Sequence, residues 1–287
     1  MEIIRRPAEM TRWARQQAAA GRRICLVPTM GFFHEGHLRL MDMAGRHGDL
    51  VVVSLFVNPT QFGPGEDLDA YPRDVGRDRD LAAGRGVDLL FVPDADAMYP
   101  PGFQTRVEVE KISRHLCGRF RPGHFAGVTT VVCKLLNIVR PDAAVFGEKD
   151  FQQLAVIRQM VRDLNMDVEI LAHPTVREED GLAMSSRNAY LDARLRPQAR
   201  CLYQALERVR ELVREGELDC VVLRQEVERL VGSYPDAELE YAEFVHRDTL
   251  AETTRADRQT VLALAVRLGE RVRLIDNGLV AEHPDRT

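Results

Sequence analysis

Two histidines, His34 and His37, stand where an apolar run gives way to helical spacing. Residues 24–27 are apolar, Pro28 follows, and after Gly31 the apolar residues recur at intervals typical of a helix. The pattern predicts a strand, a tight turn and a helix that begins at the histidines. A helix start presents unpaired N–H groups and a positive dipole end, which favour phosphate. We therefore interpret the pair as a candidate phosphate site. A metal pair or ordinary surface histidines remain open, although zinc would need a third ligand that nothing nearby obviously provides.

Two further stretches carry groups suited to phosphate. Residues 147–150 (G-E-K-D) follow a predicted strand and open a helix, so Lys149 would be a point charge at the same sheet edge. The structural alternative is a turn capped by Asp150. Residues 184–187 (M-S-S-R) supply two hydroxyls and a guanidinium, which suit pyrophosphate. They could equally form a solvated loop between domains.

Three other features are weaker candidates. The loop that starts at Asn58 follows an apolar strand, at the end where open α/β sheets bind ligands. The basic segment 114–124 could close over phosphates or be a solvated face. One or two of the aspartates between positions 67 and 80 could hold Mg²⁺, but helix caps and surface charge are the commoner use of such residues. These aspartates are Asp67, Asp69, Asp74, Asp78 and Asp80.

The elements that must position these residues alternate between strand and helix up to about residue 176. The nearly continuous apolar run 50–57 predicts a strand covered on both faces, hence a parallel sheet. We predict an α/β fold with a doubly wound, Rossmann-like parallel sheet domain over residues 1–186 and a smaller α+β lid domain over residues 187–287. The last residues, 282–287, are expected to be a frayed tail. The predicted strands are 24–27, 50–57, 88–92, 143–146, 168–171, 238–245, 260–266 and 272–275, and the predicted helices are 7–20, 35–46, 78–83, 126–139, 151–165, 198–214 and 221–231.

Composition limits the possible partners. The 287 residues carry a net charge of −5, so no overall positive charge favours nucleic acid or an acidic membrane surface. The five cysteines are odd in number and form no C-x-x-C pair, which is typical of a reduced, cytoplasmic chain. No apolar run is long enough to cross a bilayer. Small-molecule chemistry in the cytoplasm is the resulting expectation, with no nucleic acid and no membrane as partner.

Six motifs, taken in order, resemble one enzyme family. They are P-T-M-G-x-x-H-E-G-H at 28–37, F-V-N-P-T-Q-F at 56–62, D-A-Y-P-R at 69–73, R-P-G-H-F-x-G-V at 121–128, G-E-K-D-F-Q-Q at 147–153 and G-L-A-M-S-S-R-N at 181–188. Together they resemble the pantothenate synthetases, the pantoate-β-alanine ligases of coenzyme A biosynthesis. The H-x-G-H and M-S-S-R elements also resemble signatures of the wider nucleotidylyltransferase and class I aminoacyl-tRNA synthetase group. The last third of the chain carries no motif that matches as firmly.

The resemblance implies an ATP-dependent amide synthesis in two steps. Pantoate's carboxylate attacks the α-phosphorus of ATP to give pantoyl adenylate and pyrophosphate, and the amine of β-alanine then expels AMP. ATP enters as a substrate with Mg²⁺, whose ligands the sequence does not identify, and a homodimer through the larger domain is implied.

The resemblance also implies site residues. His37, His34, Lys149 and Arg187 would be catalytic, with His37 as proton donor. The ATP site would comprise Met30, Gly31, Phe32, Phe33, His34, Glu35, Gly36, His37, Gly147, Glu148, Lys149, Asp150, Val176, Met184, Ser185, Ser186 and Arg187. The site for pantoate and β-alanine would comprise Gln61 and Gln153, which hold pantoate, with Asn58, Arg121 and His124 lining the same cleft.

Two residues depart from the family pattern. Phe32 and Phe33 stand where Ala-Leu is common, and they could reshape the adenosine or pantoate wall, although Phe33 fits simple packing under the helix.

Three other functions stay open. A nucleotidylyltransferase would use the same histidines, but Gln61 and Gln153 suit a phosphate-bearing acceptor poorly. A nucleotide-sensing module would fit the fold without explaining the polar residues. An RNA-binding role is disfavoured by the acidic balance.

Overall fold

The computed structural model describes residues 1–269 and 272–281, so the predicted tail at 282–287 lies outside the described residues. The chain divides into two compact units. The first contains Met1–Arg114, Gly118–Glu148 and Gln153–Pro174, and the second contains His115–Cys117, Lys149–Gln152 and Thr175–Thr287. The division falls at residues 174 and 175, before the predicted boundary at 186. One reason is that Arg177 forms an ion pair with Asp276 in the second unit.

The first unit is built on a parallel sheet. Its strands are β1 (Glu2–Ile4), β2 (Ile24–Thr29), β3 (Leu50–Leu55), β4 (Leu89–Phe91), β5 (Ala143–Gly147) and β6 (Glu169–His173). All neighbours are parallel, in the order β1-β4-β3-β2-β5-β6. The helices that accompany them along the chain are α1 (Pro7–Ala19), α2 (Glu35–His47), α3 (Val75–Ala83), α4 (Ala95–Met98), α5 (Cys117–Phe120), α6 (His124–Val139) and α7 (Phe151–Asp163).

The central strands of this sheet are buried on both faces. Along β2, Ile24 and Leu26 belong to one apolar core, whereas Cys25 and Val27 belong to another. Since successive side chains of a strand point to opposite faces, the two cores lie on the two sides of the sheet. All six residues of β3 are buried, as the apolar run predicts. The predicted doubly wound α/β fold is therefore confirmed.

The second unit has a small antiparallel sheet and two amphipathic helices. The helices are α8 (Cys201–Arg214) and α9 (Cys220–Val231), and the strands are β7 (Ala237–His246), β8 (Thr260–Leu268) and β9 (Val272–Leu279). The sheet order is β7-β8-β9, and Leu206, Phe244 and Leu264 are fully buried in its core. The predicted α+β character of this region is confirmed.

The short strand β1 was not predicted from the sequence. It contains only two apolar residues, Ile3 and Ile4, between Glu2 and Arg5, so it shows neither an apolar run nor a period-two pattern long enough to detect. Helix α3 begins at Val75 rather than at the predicted residue 78, because Asp74 accepts the Arg77 N–H at 2.9 Å and caps it. In the part of the chain that the structure describes, no helix has the length and apolar character needed to cross a bilayer.

Candidate active site

Two residues predicted for ATP, Met30 and Gly147, lie at the reversal point of the parallel sheet in the first unit. β2 pairs with β3 on one side and with β5 on the other, so the strand order reverses between β2 and β5. Met30 follows the carboxyl end of β2, and Gly147 is the last residue of β5. Open α/β sheets bind ligands in the crevice at this position. The fold thus brings Met30 and Gly147, both in the first unit, to one edge of the sheet.

The histidines form a reciprocal cap at the start of α2. His34 is the N-cap residue, and its Nδ1 accepts the N–H of Gly36 at 3.1 Å. The Nδ1 of His37 accepts the N–H of His34 at 3.3 Å, and the two ring centroids lie 4.1 Å apart. Because Nδ1 is the acceptor in both neutral imidazoles, each ring carries its proton on Nε2. The cap therefore turns both histidines into hydrogen-bond donors through the same ring atom.

The turn before the histidines explains the two unusual phenylalanines. Phe33 is fully buried among apolar residues and packs with its ring centroid 5.5 Å from that of His37, so the predicted packing under the helix is confirmed. Phe32 is only partly buried, and the Arg77 guanidinium lies 5.2 Å from its ring centroid. The two residues thus have different surroundings although they are adjacent.

Two of the aspartates between positions 67 and 80, Asp74 and Asp78, bind backbone N–H groups. The Asp78 carboxylate is fully buried and accepts the N–H groups of Phe32 and Phe33. Asp74 caps α3. Among the described residues, no group of three or more His, Cys, Asp or Glu side chains is arranged to hold a metal ion. The helix-cap alternative is therefore confirmed at Asp74, whereas Asp78 binds two amides of the turn before the histidines.

The amide pair Asn58 and Gln61 is buried in the first unit. Asn58 is 1% exposed and donates from Nδ2 to Gln61 Oε1 and to the Gly127 carbonyl, both at 3.1 Å. Its Oδ1 accepts the Tyr99 hydroxyl at 2.8 Å. The Gln61 Nε2 contacts the Met30 sulfur at 3.3 Å, which brings the predicted pantoate loop to the turn after β2. Asn58 thus orients the Gln61 amide, because its bond to Oε1 leaves the two N–H groups of Nε2 to face other partners.

Arg121 and His124 hold the backbone of the same loop. The Gln61 carbonyl accepts a bond from Arg121 Nη2 at 3.3 Å and lies 2.8 Å from His124 Nδ1. Arg121 also forms a bidentate ion pair with Glu66. Burial acts to raise the pKa of Glu66, but the hydrogen bonds and charge of Arg121 outweigh it and hold that pKa below its usual value. The arginine charge is therefore already matched within the first unit.

A cavity of about 390 Å³ borders this loop. Gln61 and His124 line it together with Tyr99 and Arg106, and its size falls in the range of small-molecule sites. Gln153, the second glutamine predicted for pantoate, is half-buried on α7 in the first unit. The predicted pantoate residues thus share one unit, although only two of them line this cavity.

The second unit holds Val176 and the M-S-S-R stretch on one hairpin. Met184 N–H donates to the Val176 carbonyl at 2.9 Å, and Arg177 bridges to Ala183 in antiparallel fashion. Ser185 Oγ then accepts the Arg187 N–H at 3.2 Å and starts a 3₁₀ turn over Ser186–Tyr190. The hairpin brings together residues that the sequence predicted separately for ATP.

The last strand of the second unit supports these elements, a role that sequence reasoning missed. Asp276 receives a bidentate ion pair from Arg177 at 2.7 and 2.9 Å, and Asn277 Nδ2 donates to the Lys149 carbonyl at 2.8 Å. Asp276 is 2% exposed and Asn277 is 9% exposed. Two adjacent buried polar residues directly after the apolar Leu274 and Ile275 were the available signal, since such groups need partners.

Comparison with known proteins points to one family throughout. The family model described as pantoate-beta-alanine ligase matches residues 2–279. The pantothenate synthetase of Geobacter sulfurreducens is 52% identical over 282 residues, covering 98% of this chain and 99% of that protein. The one from Heliobacterium modesticaldum is 54% identical over 280 residues, covering 98% and 99%.

Solved structures agree with the sequence relatives. A crystal structure of pantothenate synthetase from Thermus thermophilus matches with a TM-score of 0.92 at 45% identity, covering 98% of this chain and all of that one. A pantoate-beta-alanine ligase from Francisella tularensis, complexed with beta-gamma ATP and beta-alanine, matches with a TM-score of 0.79 at 34% identity and 98% coverage of both chains. The similarity extends over both units.

Proposed function

Because the chain belongs to the pantoate-β-alanine ligase family, which condenses pantoate with β-alanine in an ATP-dependent reaction, we propose that it works through a pantoyl-adenylate intermediate. A pantoate carboxylate oxygen bonds to the α-phosphorus of ATP as the bond to pyrophosphate breaks. The β-alanine amine then bonds to the acyl carbon and loses a proton, while the C–O bond to AMP breaks. The products are pantothenate, AMP and pyrophosphate.

The reciprocal histidine cap is the observation that carries this proposal. His34 and His37 each have Nδ1 engaged by a backbone N–H, so each offers an Nε2–H donor. Donors held in place before the reaction stabilise the negative charge that grows on the departing pyrophosphate. The start of α2 adds a positive dipole end. We assign both histidines to the phosphates and His37 to proton donation.

Pantoate is assigned to Gln61 and Gln153. An arginine would bind the carboxylate in bidentate fashion and occupy the lone pair that must attack phosphorus. A neutral amide orients the acid without that cost, and the pairing of Arg121 with Glu66 is consistent with keeping a positive charge away from the nucleophile. Asn58, Arg121 and His124 support this cleft by holding the Gln61 loop.

The second unit contributes cations and hydroxyls to ATP binding. We assign Lys149 and Arg187 to the phosphates, and Val176, Met184, Ser185 and Ser186 to the rest of the nucleotide. The complex of the Francisella tularensis relative with beta-gamma ATP and beta-alanine supports the choice of both substrates. Asp150 stands next to Lys149 and supplies a half-exposed carboxylate.

Mg²⁺ would enter this site bound to the phosphates of ATP. The described residues offer no cage of three ligands, and Mg²⁺ commonly binds through one or two carboxylates together with substrate phosphates. Asp150 is the carboxylate that would hold it. When bound, the ion would neutralise charge on the triphosphate.

We further propose a cytoplasmic homodimer. The relationship to the family supports both assignments, and light scattering after gel filtration measures the assembly directly. A monomer at working concentration would contradict the dimer.

The decisive test of the chemistry is pantoate-dependent exchange of labelled pyrophosphate into ATP in the absence of β-alanine. Adenylation is reversible, so exchange is expected only when pantoate is present. Folded protein that forms pantothenate without this exchange would exclude a free pyrophosphate-releasing first step. Release of ADP in place of AMP would indicate acyl phosphate chemistry instead.

A further inference from the structure

A buried carboxylate in α3 holds the turn that precedes the histidines. Asp78 Oδ2 accepts the Phe32 N–H at 2.6 Å, and Oδ1 accepts the Phe33 N–H at 2.7 Å. Asp78 is fully buried and lies 45 and 46 residues from its two partners in sequence. A single side chain from another helix therefore fixes two consecutive amides of the turn.

The conformation of the turn explains why an anion is needed there. Gly31 and Phe32 both have positive φ, 87° and 53°. Glycine adopts this region freely, but phenylalanine is strained in it. Successive N–H groups in such a turn converge into a concavity that binds an anion. Charge-assisted bonds to Asp78 offset the strain at Phe32.

His34 follows this turn directly and caps α2. A Cβ placed on Gly31 would lie 3.0 Å from Asp78 Oδ2 and 3.1 Å from Leu55 Cδ2, so the turn has little room to shift. Building on the proposed adenylation function, we propose that Asp78 is a positioning residue: its carboxylate fixes the turn at Phe32 and Phe33 so that His34 and His37 are held ready to donate to the phosphates.

The carboxylate is kept at a cost in stability. Burial raises the pKa of Asp78. The hydrogen bonds from Phe33 and Phe32 and the charge of Arg77 lower that pKa, but burial outweighs them, and the negative charge of Asp74 raises it further. Arg77 Nη1 lies 3.7 Å from Oδ1 and is the cation that faces it. A buried anion that destabilises the folded state is expected where its role is to fix the geometry of a functional turn.

The test compares Asp78→Asn with Asp74→Ala. Asparagine keeps the shape of the side chain but replaces one acceptor oxygen with an NH₂ group, which cannot accept a backbone N–H. Asp74→Ala removes the cap of the same helix without touching the turn. Pantoate-dependent pyrophosphate exchange is measured per folded molecule, with the folded fraction taken from circular dichroism in the assay buffer.

We expect Asp78→Asn to lower kcat for exchange by about 10- to 100-fold, the scale of a misplaced catalytic group, with little change in KM for pantoate. Asp74→Ala should keep kcat close to that of the wild type. Equal losses of kcat in the two variants would overturn the proposal, because they would reflect α3 alone. Wild-type kcat in Asp78→Asn would overturn it as well.

A second variant keeps the test informative if Asp78→Asn folds poorly. Adding Phe32→Gly places glycine at φ 53° without strain, so the turn needs the carboxylate less. Partial recovery of kcat is expected relative to Asp78→Asn, with Phe32→Gly alone as reference, and no recovery would count against the role. Failure of the proposed function itself would be distinct, since the wild type would then show no pantoate-dependent exchange.

Discussion

The histidine turn of the first unit and the hairpin of the second unit are supported in different ways. At the turn, His34 and His37 cap each other through nearby backbone amides, and Asp78 adds one distant anchor. In the second unit, Asn277 holds Lys149 from 128 residues away, and Asp276 holds Arg177 from 99 residues away. The first arrangement is mostly local, whereas the second depends on the last strand.

This difference shows which kind of support leaves a recognisable pattern in the sequence. A reciprocal cap needs its residues at fixed short spacing, so it leaves a pattern that can be recognised in the sequence. A loop held from a remote strand leaves only a pair of buried polar residues, whose partners are unknown until the fold is known. The last third of the chain carries no motif that matches the family as firmly, yet its strand β9 holds the backbone of Lys149, a residue assigned to ATP.

The largest effect is expected at the local cap. His37→Ala should lower the adenylation rate by about two to three orders of magnitude, because a transition-state donor is lost. Pyrophosphate exchange measures the rate, and His47→Ala is the matched control, since His47 is an exposed residue at the end of the same helix. A wild-type rate in His37→Ala would reduce His37 to a packing role and remove the contrast between the units.

A smaller but sharper effect is expected at Gln61. Methionine at this position fills similar space without an amide, so Gln61→Met should raise KM for pantoate. Gln61→Arg adds a bidentate cation and should lower kcat by about tenfold or more beyond the loss in Gln61→Met, because the carboxylate lone pair is occupied. The measurement is kcat and KM for exchange in both variants at matched folded fraction. Normal adenylation by Gln61→Arg would refute the view that a neutral amide protects the nucleophile.

The remote support in the second unit should matter less. Asn277→Ala removes one neutral hydrogen bond to the Lys149 carbonyl, so a rise in KM for ATP of about three- to tenfold is expected, the scale of a single neutral bond. Ser233→Ala is the control, since it also removes one side-chain bond to a backbone carbonyl in the same unit. An equal KM in the two variants would show that Lys149 is positioned without the last strand.

The smallest effects are expected on stability, where two carboxylates should contribute with opposite dependence on pH. The hydrogen bond from Arg196 lowers the pKa of Asp180 from 3.8, so its contribution to stability is present above pH 3.8 and lost as pH falls through the lowered pKa. Burial raises the pKa of Asp78 from 3.8, so its contribution is present below pH 3.8 and lost as pH rises through the raised pKa.

Thermal unfolding at several pH values checks this contrast. Asp180→Asn should destabilise by about 0.2–1 kcal/mol near neutral pH, the range of surface ion pairs, and by less near pH 3. Asp78→Asn should become more favourable relative to the wild type as pH rises. Parallel pH profiles for the two variants would contradict the assigned environments.

Much of the fold could be predicted because long apolar patterns report burial directly. The run 50–57 predicted a strand covered on both faces, and β3 is buried at every residue. Helix α2 was predicted within one residue of its observed end, since Gly48 and a basic last turn mark its terminus. The short strand β1 could not be predicted, because charged residues flank its two isoleucines, whereas the equally short β4 lies in the apolar run 89–92.

In the candidate site, too, local patterns could be predicted from the sequence and long-range contacts could not. The local motif around His34 and His37 was enough to predict a phosphate site at a helix start. The sequence suggested a helix cap, a surface charge or a Mg²⁺ ligand for Asp78, because nothing in its neighbours indicates the amides of Phe32 and Phe33. Nothing in the sequence next to Asn277 and Asp276 indicates Lys149 or Arg177 as their partners. Contacts between distant parts of the chain need the fold before they can be inferred.

The close approach of Gly127 to the Gln61 loop sets a limit for engineering. A Cβ at position 127 would lie 2.3 Å from the Thr60 carbonyl oxygen and 2.7 Å from Gln61 Cα. Helix α6 therefore packs directly against that loop, and any larger side chain at 127 must displace the Thr60 carbonyl and the Gln61 backbone. Attempts to change the range of acids accepted should redesign other walls of the cleft and leave this helix face unaltered.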